Sequence, residues 1–283
     1  MKARARPAPP APAVNLRRLY VDCRYGQLHV RSAFPSSGGF DELTPLVCLH
    51  HGPLSSRVFT GLLALMATDR SVYAPDLPGC GESDPPATQP AIADYAGAML
   101  DFLDQMRLRE VDLLGYHGGA AIAAEMALAR PAQVRRVVMV GVPVLESAER
   151  DAFNGGPWPV APREDGGHLI EEWQRSLRRR DPGTPLAQLA ASFADQLRNG
   201  PRAWWGASAT ASYPATGRLP QLTQPVLVLR PRDELWVATQ RARELIQGAR
   251  FRDLADHGGG LFESAPEAVA RELRAFLGEG PPK

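Results

Sequence analysis

The chain predicts an α/β fold: a mostly parallel sheet flanked by helices, with a helical insertion at the carboxyl edge of the sheet. Three observations carry this. Short apolar strands alternate with amphipathic helices from residue 45 to 142. The alternation stops at Pro143 and resumes near residue 225. The stretch between them is rich in Gly/Pro loops, amphipathic segments and tryptophan, and has no comparable strand. Alternating strand and helix signals imply parallel strands with both faces covered.

Each element follows in order. Leu16–Cys23 and Gln27–Ala33 flank Arg24-Tyr25-Gly26 and predict a β-hairpin. Pro45–Leu49 is a buried strand, Ser56–Thr68 a helix by its apolar spacing, and Ser71–Ala74 the next strand. Ile92–Met106 predicts an amphipathic helix, and Val111–Gly115 and Val137–Val142 predict strands either side of the helix Ala120–Ala129. In the insertion, His168–Arg179 and Leu186–Arg198 are amphipathic. Pro225–Arg230, Ala238–Gln247, Arg250–Leu254 and Ser264–Leu277 complete the alternation. The last helix opens Ser264-Ala265-Pro266-Glu267, a capping-box spelling with an early proline. The implied organisation is a disordered tail over 1–14, a core over 15–143 and 223–283, and a helical cap over 144–222.

Composition narrows the function. The chain has 283 residues, with 32 Lys+Arg against 31 Asp+Glu and a net charge of +1. That charge gives no case for nucleic acid or an acidic membrane surface. No apolar run approaches membrane-spanning length. The Pro/Ala-rich N-terminus lacks the apolar centre of a signal peptide. Three widely spaced cysteines, Cys23, Cys48 and Cys80, fit a reducing cytoplasm better than a disulfide framework. No cofactor is implied. No histidine pair has a diagnostic metal spacing, so a site built from His117, His257, His51 and Asp233 is the weakest use of these residues.

The most informative residue is His117. Gly115-Tyr116-His117-Gly118-Gly119 follows a short apolar strand and opens an alanine-rich helix. That is the context of the G-x-S-x-G nucleophile elbow, with imidazole where serine is expected. The elbow strains its central residue and demands tiny flanks, which Gly115 and Gly119 supply. An imidazole there can serve as nucleophile or as general base.

Four landmarks in order resemble the α/β-hydrolase superfamily, from about Leu16 to the C-terminus: His50-His51-Gly52-Pro53, Asp76-Leu77-Pro78-Gly79-Cys80-Gly81-Glu82-Ser83-Asp84, the elbow, and Phe262-Glu263-Ser264-Ala265-Pro266-Glu267. The chain resembles a variant with histidine at the elbow. The resemblance implies an oxyanion hole from the main-chain N–H groups of Gly52 and Gly118. It implies an acid after the strand ending at Arg230, either Asp233 or Glu234. It places the usual triad histidine at Gly259, within Gly258-Gly259-Gly260. Either His257 fills that role from a shifted loop or the base is missing. His50 matches a structural position of the family, and His51 could point into the pocket.

The cap aromatics suggest a mostly apolar small substrate, with His51, Tyr116, Trp173, Trp204 and Trp205 the expected pocket residues. Trp158, Phe193 and Tyr213 also lie in the insertion. The leading expectation is an enzyme acting on an ester, lactone or thioester, with catalysis by His117, Asp233 or Glu234, and His257. A non-hydrolytic lyase, isomerase, cyclase or cofactor-free oxygenase, and a ligand-binding protein without catalysis, are the alternatives. A homodimer stays open.

Overall fold

The computed structural model describes residues 14–36, 42–154, 161–180 and 183–278. The expected disordered tail and Trp158 lie outside these residues, save Val14. Eight strands form one sheet: β1 (Val14–Cys23), β2 (Gly26–Pro35), β3 (Leu43–Leu49), β4 (Arg70–Pro75), β5 (Val111–Tyr116), β6 (Val134–Val140), β7 (Val226–Pro231) and β8 (Arg250–Leu254). Their spatial order is β1-β2-β4-β3-β5-β6-β7-β8. The β1–β2 hairpin and its junction with β4 are antiparallel, and the pairs from β4 to β8 are parallel.

Both faces are covered. In β6, Val137 and Met139 enter one apolar layer while Val138 and Val140 enter the other. That alternation needs apolar residues at every position, hence the unbroken Val-Val-Met-Val run. One layer packs α2 (Ile92–Gln105) and α3 (Gly118–Ala129); the other packs α1 (Thr60–Met66) and later helices. The alanines of α3 are nearly all fully buried. Short side chains let this helix lie close to the sheet.

The segment between β6 and β7, where the sequence predicts a cap, carries α4 (Ser147–Asn154), α5 (Gly167–Arg179), α6 (Leu186–Arg198), α7 (Trp205–Ala211) and α8 (Ala215–Arg218). It is fastened to α3 by Glu125, which accepts bonds from Tyr213 Oη at 2.9 Å and from Arg218 Nε and Nη2 at 2.7 Å each. After β7 come α9 (Trp236–Leu245), α10 (Leu261–Ser264) and α11 (Pro266–Leu277).

Two of the differences from expectation have a clear local cause. Strand β6 stops at Val140 rather than Val142, because Gly141 takes φ +64°, outside the extended region. The last helix breaks in two at Pro266, and Ser264 is not its N-cap. Its hydroxyl donates back to Gly260 O at 3.0 Å and closes α10 instead.

Asp76, at the end of β4, organises the loops around the sheet's carboxyl edge. Its Oδ1 accepts Ser56 N–H at 2.7 Å, and its Oδ2 accepts Glu82 N–H at 3.0 Å and His29 Nδ1 at 2.8 Å. Burial would push this carboxyl up, but the His29 bond, the His50 charge and the Ser56 and Glu82 bonds hold it down to about 2. A depressed pKa contributes stability above the unfolded value of 3.8, lost as pH falls through about 2. Asp76→Ala should therefore cost roughly 2–4 kcal/mol at neutral pH by urea denaturation. The gap from the parent should narrow as pH falls from 3.8 toward 2.

Candidate active site

The sharp turn between β5 and α3 holds His117 at φ 50°, ψ −113°. A non-glycine residue in that region costs on the order of 1–3 kcal/mol and persists only where its surroundings force it. The forcing is steric. A Cβ on Gly119 would stand 2.0 Å from Leu49 O, and one on Gly115 would stand 2.3 Å from Gly119 O. The turn is tied down by His117 N–H to Val140 O and Ala120 N–H to His117 O, both 2.8 Å.

The His117 ring reaches across to the end of β7. Its Nε2 donates to Asp233 Oδ2 at 2.8 Å, while Asp233 Oδ1 accepts Leu235 N–H at 2.9 Å. Of the two candidate acids, Asp233 is the one that bonds to the His117 ring. Glu234 is 69% exposed in its side chain, with its nearest oxygen 3.9 Å from His117 Nδ1. His117 itself is 6% exposed. Burial disfavours its cation, but the hydrogen bond to Asp233 and the charges of Asp233 and Glu234 outweigh this and raise its pKa above 6.5.

The ring fits only because of Gly141. A Cβ there would stand 2.4 Å from His117 Cδ2 and 2.7 Å from Nε2. Sequence reasoning missed this residue. The one signal was a glycine immediately after an apolar strand, which by itself reads as a turn.

His51 stacks obliquely on the site, its ring centroid 4.9 Å from His117 and 5.0 Å from Tyr116. Its Nδ1 donates to Gly52 O at 3.0 Å, which fixes the tautomer and leaves Nε2 as the bare nitrogen. Burial first, then the His117 charge, pushes its pKa well below 6.5. His50 is consumed structurally: Nδ1 donates to His51 O and Nε2 accepts Leu77 N–H. Tyr116 packs edge-on against Phe262 behind the site.

Gly52 and Gly118 flank His117, and among the described residues neither main-chain N–H finds an acceptor. Helix α7 presses on both. A Cβ on Gly52 would lie 3.1 Å from Gly206 Cα, and one on Gly118 would lie 2.4 Å from Thr210 Oγ1. Gly206 and Thr210 were not legible as site residues, because no motif announces them. Trp204 and Trp205 lead into this helix and are half-buried. Trp173 is placed differently: its ring meets Phe193 at 5.4 Å between α5 and α6, so it contributes to packing within the cap.

Two expected residues do not join the cluster. His257 contributes its main chain, accepting Arg232 N–H at 2.6 Å, and among the described residues its ring makes no hydrogen bond or ion pair. Both oxygens of Asp233 are already used by His117 and Leu235. At Gly259 a Cβ would meet nothing within 4 Å. The ring that faces Asp233 thus comes from the elbow, not from the late loop. Among the described residues, no group of three or more His, Cys, Asp or Glu is arranged to hold a metal ion.

The sequence profile described as α/β-hydrolase fold matches residues 44–248, and the chain belongs to that family. A poly(3-hydroxyalkanoate) depolymerase of Ectopseudomonas oleovorans is 26% identical over 261 residues, covering 84% of this chain and 86% of that protein. A proline iminopeptidase of Heyndrickxia coagulans is 31% identical, over 42% of this chain and 41% of that one. The match to an uncharacterized Mycobacterium tuberculosis protein, 34% identical, spans only 28% of that protein's length. Among solved structures, an esterase from a Rhodococcus species superposes with TM-score 0.71 at 25% identity, covering 93% and 98% of the two chains. An enol-lactonase from Burkholderia xenovorans gives 0.71 at 15% identity over 92% and 100%, a likeness of fold alone.

Gly141→Ala should displace the His117 ring from Asp233 while leaving the sheet intact. The expected result is a fall of about 100-fold or more in kcat/KM on any substrate turned over, roughly 3 kcal/mol of transition-state stabilisation. Circular dichroism should remain that of the parent.

Proposed function

We propose that the protein is a hydrolase of small, largely apolar esters, lactones or thioesters, in which the His117–Asp233 pair activates water directly. The observation that carries this is the 2.8 Å bond between His117 Nε2 and Asp233 Oδ2. It fixes the tautomer, so that in the neutral ring Nδ1 bears the lone pair. Nδ1 takes a proton from water as the water oxygen bonds to the carbonyl carbon. The carbonyl oxygen, now anionic, is stabilised by the N–H groups of Gly52 and Gly118. Main-chain donors of this kind contribute about 3 kcal/mol each. The carbon–oxygen or carbon–sulfur bond then breaks, and Nδ1–H returns its proton to the leaving group. No serine acyl-enzyme forms. Relatives named as an esterase and a depolymerase are compatible with this substrate class. The aromatic pair Trp204-Trp205, entering the helix that overlies both oxyanion glycines, supports an apolar acyl or leaving group. A cytoplasmic location belongs to the same reading; no described helix is long and apolar enough to cross a membrane.

One observation favours a second reading. His51 and His117 are two imidazoles 4.9 Å apart whose surroundings move their proton affinities in opposite directions. Such a pair suits proton transfer alone, with His51 Nε2 as base and the His117 imidazolium as acid. The discriminating experiment follows a ketone or lactone in D2O. Deuterium entering beside the carbonyl without hydrolysis would favour proton transfer; hydrolysis without exchange favours water activation.

Base catalysis by His117 fixes the pH dependence. The neutral ring is the active form and its pKa is raised above 6.5, so kcat/KM should rise with pH through that higher value. Asp233→Asn removes the charge and leaves only a weaker, neutral acceptor, so the rising limb should move to lower pH while the plateau falls by about 100-fold or more. His117→Ala should abolish turnover. A parent-like kcat/KM for His117→Ala would refute the proposal.

His117→Ser alone should not restore a triad, because the new hydroxyl would lack a base. Adding Gly259→His supplies an imidazole at a position where a side chain meets no obstruction, with Asp233 freed of its partner. The double variant should react covalently with a fluorophosphonate probe at the hydroxyl introduced by His117→Ser, where neither single variant does. Absence of labelling in the folded double variant would show that the late loop does not reach the elbow.

A further inference from the structure

We propose that the cavity between the β1–β2 hairpin and α1 is a binding site for a phosphate monoester group, held by Arg18 and Arg31. The cavity has a volume of about 410 Å³, and its lining includes Arg17, Arg18, Arg31, Ser32, Thr60 and Leu63. In the antiparallel register Arg18 stands directly opposite Arg31, and Arg17 opposite Ser32. Like charges directly opposite across a strand pair repel. Among the described residues Arg17, Arg18 and Arg31 have no ion pair. Other arginines of the fold are compensated, as in Arg24–Asp101, Arg135–Asp112, Arg218–Glu125, Arg230–Asp253, Arg241–Glu149 and Arg274–Asp69.

The nearest acids are committed elsewhere. Asp76 is bonded to His29 and Ser56, and Glu82 to Tyr20 and Arg57. Arg31 is half-buried, and its Nε is a buried donor with no acceptor. Burial and the charges of Arg57 and Arg18, only partly offset by Asp76, hold the Arg31 pKa down, as expected of cations crowded without a counter-ion. Unpaired buried donors ask for a partner. A planar guanidinium matches phosphate oxygens in bidentate fashion, and Arg18 and Arg31, paired on one face of the hairpin, favour a dianion over a simple carboxylate. Leu63 and the neighbouring Leu16 supply an apolar wall, so the ester's organic part can be apolar.

The test is isothermal titration of the full chain with inorganic phosphate and with glycerol 3-phosphate, at ionic strength held constant with chloride. Saturable binding is expected, weakened about tenfold or more by Arg18→Gln and by Arg31→Gln. Each variant should melt no lower than the parent in low salt without phosphate, since repulsion is relieved, and should lose the parent's phosphate-dependent rise in Tm. A third arm is sedimentation with phosphatidylcholine vesicles with and without phosphatidic acid. Binding to the acidic vesicles, lost in both variants, assigns the phosphate to a lipid headgroup; binding of glycerol 3-phosphate alone assigns it to a free ester. No saturable binding of any of the three by the parent, or undiminished binding by both variants, overturns the proposal.

Discussion

The hydrogen bond from His117 Nε2 to Asp233 Oδ2 is the interaction on which the rest of the site depends. It joins the turn after β5 to the loop after β7 across the intervening strand β6. It also explains why a strained main chain is worth keeping. The elbow conformation at His117 carries a cost of about 1–3 kcal/mol. A charge-assisted hydrogen bond in a buried setting contributes a similar amount, about 1.5–3 kcal/mol. The two nearly balance, so the turn can hold an imidazole where a smaller side chain would be easier to place.

The consequence is a shortened constellation. A serine at the elbow needs a separate histidine to reach the acid. Here one ring occupies the elbow and contacts the acid itself. Gly141 is the counterpart that makes this feasible, since any side chain there would stand in the ring's path. The late loop is correspondingly released: Gly259 faces open space, and His257 is used through its backbone. Helix α7 completes the enclosure by lying on Gly52 and Gly118. The small residues Gly52 and Gly206 let α7 and the loop after β3 approach this closely.

The architecture was legible in the sequence because its signals are local and repeated. Helix Leu186–Arg198 and strand Arg250–Leu254 lie where periodicity puts them. The elbow was legible because its glycines answer a steric demand that few other residues meet. What was not legible depends on distance through space. Asp233 and Glu234 are adjacent in sequence, and only the direction of β7 decides which carboxylate meets the ring. Gly141 looks like any turn glycine until the His117 ring is placed beside it. Thr210 and Gly206 belong to the cap, whose packing on the core no local pattern encodes. Ser264 misled because its spelling matches a cap, whereas Gly260 offered its hydroxyl a nearer partner.

The most direct measurement of the central claim is the tautomer and environment of the His117 ring, read by imidazole-nitrogen NMR on the full chain above the ring's pKa, with His117→Gln to assign it. The account predicts a neutral ring protonated at Nε2, with that proton shifted strongly downfield by Asp233 and moved back in Asp233→Asn. A ring protonated at Nδ1, or an Nε2 proton indifferent to Asp233→Asn, would contradict it.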